Sequence, residues 1–159
     1  IVDSHDTIRI KNRLGEDARR VMLVFLFMFA SAGAPSIYYG TEIGLSGGND
    51  PDNRRMMPLD VSQHDMHFFL FLKQLIALRH RYPALSTPDY HFLDLNILAF
   101  YKKDEHDSIL VLINNQNSDM TIDSSSIAGC YKNLMTQKDF TIYDILSMKP
   151  YDFYILKEC

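Results

Sequence analysis

Within the opening IVDSHDTIRI, Asp3, His5 and Asp6 fall in four consecutive positions. A carboxylate beside an imidazole can hold a hydroxyl-bearing ligand or move a proton, provided both side chains reach one point. On an extended strand neighbouring side chains point to opposite faces, so His5 and Asp6 converge only where the strand ends. Parallel α/β architectures build their sites at those carboxyl ends. A second cluster lies in GNDPDNRRMMPLD, which carries Asp50, Asp52, Arg54 and Arg55. Asp and Arg offer many directional acceptors and donors, as a hydroxyl-rich ligand demands, and they equally form loop-internal salt bridges. Asp52 and Arg55 are assigned to holding the loop in shape.

Tyr38, Tyr39 and Glu42 form a further polar group in SIYYGTE. Aromatics on a buried strand usually pack with their hydroxyls bonded, so structural support is the role expected of them. Met28, Met56 and Met57 are expected to fill core or loop space. His64 and His67 stand three apart, a spacing that can bind metal. No Cys or further acid converges on them, and neither a metal nor any other cofactor is predicted. His106 and Asp107 belong to a solvated turn.

The elements that must position these residues alternate along the first half. Ile1 to His5 is expected as a short strand. Gly15 punctuates, and Glu16, Asp17 and Ala18 open a helix with acids at its positive end. That helix extends to about Ala32 and is apolar nearly all round from Val21 to Ala30, as suits a helix sandwiched between other elements. Gly33 and Pro35 end it, and SIYYG follows as a brief strand. A long aperiodic loop with Gly47, Gly48, Pro51 and Pro58 comes next. Ser62, with Asp65 three residues on, marks a second helix. Its apolar stripe is Phe68, Leu72, Leu75 and Ile76, and Pro83 stops it. From about Asp89, ILAFYKK and ILVLINN flank the turn DEHDS as a hairpin. MTID, DFTIYDIL and YDFYILK continue as short strands of an antiparallel sandwich. The boundary between the two characters falls at residues 83–89.

The 159 residues suffice for one ordinary domain or two small ones. With 47% hydrophobic residues, 23% charged residues and a net charge of −4, the composition is globular. It lacks the positive charge that nucleic-acid binding through phosphates requires. The apolar run VMLVFLFMFA has about half of the roughly 20 residues that span a bilayer, so no membrane partner is expected. Cys130 and Cys159 are too few for a disulfide scaffold, and a thiol at the last position is expected to fray and stay free. This usage fits a reducing, cytoplasmic location.

Three segments in order, VDSHDTIR, GAPSIYYGTEIGL and GNDPDNRRMMPLD, resemble the α-amylase family, glycoside hydrolase family 13. The nearest likeness is to its cyclomaltodextrinase, neopullulanase and maltogenic amylase branch. The resemblance is strong over residues 1 to about 82 and architectural beyond them. It implies an α/β plus all-β fold. Residues 1–84 would be the last two β/α units of a (β/α)₈ TIM barrel, with VDSHDT as the seventh strand and GAPSIYYGTE as the eighth. Residues 85–159 would be an antiparallel β-sandwich C-terminal domain. The resemblance implies a catalytic role for Asp6, matched to the family's third carboxylate, which holds sugar hydroxyls at the cleaved ring. His5 matches the histidine that bonds the same ring. Asp50 and Arg54 match a pair that contacts glucose units further from the cut. Hydrogen bonds that tighten in the oxocarbenium-like state supply several kcal/mol to such a reaction.

The implied activity is retaining hydrolysis of α-1,4-glucosidic bonds in maltooligosaccharides, cyclodextrins or pullulan. An α-glucan is the implied partner, and a homodimer is a candidate assembly. The family's nucleophile and acid/base match no Asp or Glu of this chain. The chain is therefore expected to be the C-terminal portion of a longer enzyme, inactive alone. The alternative is a stand-alone β-sandwich module that binds carbohydrate or protein without chemistry. Such a module has no need of His5 and Asp6 together with Asp50 and Arg54.

Overall fold

A helix of one turn, α1 (Ile10–Arg13), stands before the long apolar run, and no sequence pattern marks it. Gly15 (φ 70°) and Glu16 (φ 62°) take left-handed backbone and close it, with the Glu16 N–H donating to the Lys11 carbonyl at 2.9 Å. The expected helix therefore begins later than Glu16. It is α2 (Ala18–Phe29), and Asp17 caps it by accepting the Arg19 N–H at 3.0 Å. Val21, Leu23, Phe25, Leu26 and Phe29 are buried, while Phe27 is exposed.

Residues 1–159 are all described by this computed structural model. They divide into one unit of residues 1–29 and 34–77 and another of residues 30–33 and 78–159. In the first unit neither Ile1 to His5 nor SIYYG is a strand. Residues 4–7 form a turn, and SIYYG leads into a 3₁₀ turn at Thr41–Ile43. A strand exists by virtue of its hydrogen-bonded neighbour, and neither segment pairs with one.

The second long helix is α3 (Met66–Arg81), four residues later than Ser62 suggests. Ser62 lies in a separate 3₁₀ turn, Val61–Gln63, where its N–H donates to the Asp60 carboxylate at 2.9 Å. Asp65 caps α3 instead, accepting the Phe68 N–H at 3.0 Å. Phe68, Phe71, Leu72 and Leu75 make the buried stripe, and Phe25 meets Phe68 edge-on with ring centroids 5.3 Å apart. Ile76 is exposed rather than part of the stripe, because at about 100° per residue it stands about 80° round the helix from Phe68, beyond Leu72 at about 40°. No helix is long and apolar enough to cross a membrane.

Eight strands occupy the second unit: β1 (His91–Asp94), β2 (Leu98–Lys103), β3 (Ser108–Ile113), β4 (Met120–Asp123), β5 (Gly129–Asn133), β6 (Asp139–Ile142), β7 (Ile145–Met148) and β8 (Phe153–Glu158). Six of them form one antiparallel sheet in the order β1-β2-β3-β8-β5-β6, and β4 pairs with β7 in a second. Ala99, Leu110, Leu112, Tyr131, Ile142 and Leu156 from the large sheet meet Ile122 and Met148 from the small one, so the core is that of a sandwich. The hairpin β2–β3 turns at Asp104, whose carboxylate accepts the His106 and Asp107 N–H groups at 2.8 and 2.7 Å. DFTIYDIL is two strands in different sheets rather than one. Ser124 draws the chain over at Tyr143 and Asp144, donating its hydroxyl to the Tyr143 carbonyl at 2.6 Å and its N–H to the Asp144 carbonyl at 2.8 Å.

Two half-buried phenols couple this unit's stability to alkaline pH. Burial foremost, then the hydroxyl of Tyr131 at 3.2 Å, pushes Tyr101 well above the usual tyrosine range. Burial and then the Asp152 carboxylate push Tyr154 up to about 12. An unfolded tyrosine ionises near about 10, so above that pH the folded chain keeps protons the unfolded chain has lost. The stabilisation is fully present below about pH 10 and disappears as pH rises from there toward about 12. Tyr154→Phe should flatten this loss, read as the urea midpoint of far-UV circular dichroism at about pH 8 and about pH 11. Equal alkaline losses in variant and wild type would assign the effect elsewhere.

Candidate active site

His5 and Asp6 sit at the tip of a turn, not along a strand. The Ser4 N–H donates to the Thr7 hydroxyl at 3.0 Å, and the Asp6 N–H donates to the Ser4 hydroxyl at 3.2 Å. Turning the backbone here frees two consecutive side chains from opposite faces, and His5 Nε2 lies 3.2 Å from Asp6 Oδ2. Both are largely open to solvent, at 62% and 71% side-chain exposure. A ligand can therefore reach them.

Arg54 brings the second cluster to the first. Its Nε donates to the His5 carbonyl at 3.2 Å and lies 3.0 Å from Asp50 Oδ1, while Nη2 lies 3.9 Å from Asp6 Oδ1. The four residues singled out in the sequence thus form one row: His5, Asp6, Arg54, Asp50. Asp52 and Arg55 face each other at 2.6 Å, and Asp52 also accepts the Gly48 N–H at 2.6 Å. That N–H first, and the Arg55 guanidinium next, hold the Asp52 carboxyl below the usual carboxylate range. This pair folds the loop back on itself.

Beneath the row lies a buried polar frame. Arg9 is 0% exposed, Asn53 1% and Asp3 2%. Arg9 donates from Nε to the Asn53 carbonyl at 2.8 Å, and from Nη1 to the Tyr39 carbonyl at 2.5 Å and the Thr41 hydroxyl at 3.2 Å. The Thr41 hydroxyl donates in turn to Asp3 Oδ2 at 3.0 Å, and the same carboxylate oxygen accepts the Ile10 N–H at 3.1 Å. The Asn53 amide then donates upward to the His5 and Thr7 carbonyls at 2.8 and 3.0 Å. So the turn that carries the row rests on Asn53, and Asn53 rests on Arg9.

The Arg9 guanidinium lies against both Tyr38 and Tyr39, 4.1 and 4.7 Å from their ring centroids, the two rings meeting edge-on at 4.6 Å, and the Tyr39 hydroxyl donates to the Arg55 carbonyl at 2.8 Å. Glu42 lies in the 3₁₀ turn at Thr41–Ile43. His64 Nε2 is 2.9 Å from the Pro58 carbonyl, and no group of three His, Cys, Asp or Glu residues is placed to hold a metal ion. Arg9, Thr41 and Asn53 were invisible as a set in the sequence, since their partners lie 32 and 44 positions apart. Their one local signal is Arg9 itself, a charge flanked by apolar residues in TIRI.

The frame leaves no room over Gly47. Its carbonyl accepts the Arg9 N–H at 3.0 Å, and its N–H donates to the Asn12 side chain. A Cβ there would stand 2.6 Å from the Asp52 carbonyl oxygen and 2.9 Å from Asn53 Cα, both backbone atoms. Gly47→Ala should therefore cost about 1–3 kcal/mol in urea unfolding and loosen hydrogen exchange across residues 45–55. Gly48→Ala, which meets only the Asp52 carboxylate at 3.3 Å, is the milder control. Equal effects would mean that the tight approach at Gly47 is not the cause.

Chemically, the row presents two carboxylates, a guanidinium and an imidazole on an open surface over a rigid base. That pattern suits recognition of many hydroxyl groups at once. A family model described as the α-amylase catalytic domain matches residues 1–67. The cyclomaltodextrinase of Geobacillus thermopakistaniensis (strain MAS1) is 36% identical over 162 residues, covering 96% of this chain and 28% of that protein. The intracellular maltogenic amylase of Bacillus subtilis is 32% identical over 98% of this chain and 28% of its own length. The crystal structure of the maltogenic amylase from S. marinus superposes with a TM-score of 0.83 at 30% identity, over 98% of this chain and 21% of that one. The chain therefore spans little more than a quarter of the length of these curated relatives. The motifs and the family model agree over residues 1–67, the relatives align along nearly the whole chain, and it belongs to the α-amylase family.

Proposed function

We propose that the chain serves in a retaining α-glucan hydrolase that cleaves α-1,4-glucosidic bonds. Residues 1–84 would supply the last two β/α units of its (β/α)₈ barrel, and residues 85–159 its C-terminal β-sandwich. The observation that carries this reading is the single row of His5, Asp6, Arg54 and Asp50, drawn from two distant segments onto one frame. In it Asp6 accepts hydroxyl hydrogen bonds at the ring being cleaved, His5 steadies the same ring, and Arg54 with Asp50 grips glucose units further along. The nucleophile and the acid/base belong to the remaining length that the relatives possess, so this segment alone is inactive. The relatives' names support cyclodextrins and maltooligosaccharides as substrates, with pullulan as a third candidate. The intracellular maltogenic amylase among them favours a cytoplasmic setting. A homodimer is the proposed assembly to test by size measurement.

Proton NMR of fresh digests tests the reaction. The longest reading frame that carries this chain should release products first as the α-anomer; β-anomeric products, or no cleavage of any α-glucan, would end the proposal. Arg54→Ala in the same protein should lower kcat/KM more for long maltooligosaccharides than for short ones, because its contacts lie away from the cut. An equal fall for every length would instead reflect the bond from Arg54 to the His5 carbonyl, a structural role.

A further inference from the structure

β8 joins the two halves of the six-stranded sheet, lying between β3 and β5. Its register on β5 pairs Lys132 with Lys157 and Tyr131 with Glu158. One step further, the same antiparallel register sets Cys130 opposite Cys159, and the Cys159 N–H donates to the Cys130 carbonyl at 3.2 Å. The terminal thiol is thus tied into the ladder, contrary to the fraying that its position suggests. Directly opposed residues of a hydrogen-bonded antiparallel pair have Cα atoms about 5.5 Å apart and side chains on one face, inside the roughly 4.4–6.8 Å that disulfides span. Tyr131 points into the core, so Cys130 before it faces outward. Both thiols are exposed and unbridged.

We propose that Cys130 and Cys159 form an oxidation site, a cross-strand dithiol that closes to a disulfide by exchange with a low-molecular-weight disulfide and staples the end of β8 to β5. One cysteine thiolate attacks a sulfur of the small disulfide RSSR, giving a mixed disulfide and releasing one RS⁻. The second cysteine thiolate attacks the protein sulfur of that mixed disulfide and expels the other RS⁻. The two cysteine protons end on two RSH molecules, and the two electrons lost by the protein reduce RSSR. Excess RSH drives both steps backward, so a reducing setting holds the pair open. Burial first, and the neighbouring thiol second, push the Cys159 thiol up from its ordinary value. Raising the Cys159 pKa lowers the thiolate share of that thiol and slows exchange there. Once closed, the bond ties residues 130 and 159 and restricts the unfolded chain between them.

The test treats the whole chain with oxidised glutathione, then takes non-reducing intact mass, peptide mapping and thermal unfolding. The expected product is a monomer lighter by about 2 Da, with a peptide joining residues 130 and 159 and no retained glutathione. Its Tm should exceed that of the reduced chain by on the order of 10 °C. Cys159→Ser should instead retain one glutathione at Cys130 and gain no such rise. Glutathione on both cysteines without a link, a disulfide-bonded dimer, or a linked monomer with unchanged Tm would each overturn the proposal.

Discussion

If the proposed function holds, Asp6→Asn in the longest reading frame that carries this chain is expected to lower kcat at least about 10²-fold, the scale of one lost electrostatic contact to a transition state. The carboxylate is 71% exposed, with one oxygen toward His5 and the other toward Arg54. The Asp6 side chain makes surface contacts only, and such contacts contribute at most about 1 kcal/mol to folding. Asparagine keeps the shape while exchanging one acceptor for a donor and removing the negative charge that, in the proposed function, faces an oxocarbenium-like ring. The variant should therefore keep its Tm and nearly its KM while turnover collapses, measured by reducing-sugar release from maltooligosaccharides or cyclodextrins. Wild-type turnover would remove Asp6 from the reaction, and a parallel loss of Tm would make its role structural.

Arg9→Met is expected to destabilise the first unit by about 3 kcal/mol or more, although it touches no residue of the exposed row with its side chain. Methionine retains the length and apolar stem. It leaves the Asn53 and Tyr39 carbonyls without their donor, and the Thr41 hydroxyl loses the partner opposite Asp3. Buried acceptors stranded in this way cost about 1–3 kcal/mol each. Arg9→Lys restores a charge but not the planar fork that reaches three acceptors, so its loss should be intermediate. Hydrogen exchange over residues 1–67 reads the result, with residues 89–159 as the internal reference. Unchanged protection in Arg9→Met would show that the frame is held by packing alone.

These two residues mark what was legible in the sequence. Asp6, His5, Asp50 and Arg54 are legible because a site's chemistry shows in residue type, and a motif's order and spacing survive without coordinates. The hairpin of β2 and β3, the apolar helix α2 and the final strand β8 follow from local periodicity, which acts over a few residues. β1 and β5 escaped because HFLD and GCYKN are short and carry little alternation of their own; their ladders with β2 and β8 make them strands. The start of α3 was misplaced because Ser62 and Asp65 are both good caps, and the choice went to the one whose carboxylate reaches an N–H of the continuing helix.

Residue types, motif order and short-range pattern determined the family likeness, the residues of the row and most of the strands. Tertiary structure alone decided that the row stands on Arg9 and Asn53, that Ile1 to His5 pairs with no strand and the chain turns at residues 4–7, and that Cys130 faces Cys159. The reason is physical: burying a guanidinium or opposing two thiols depends on groups brought together from 29 to 44 positions away, and no local propensity encodes that meeting.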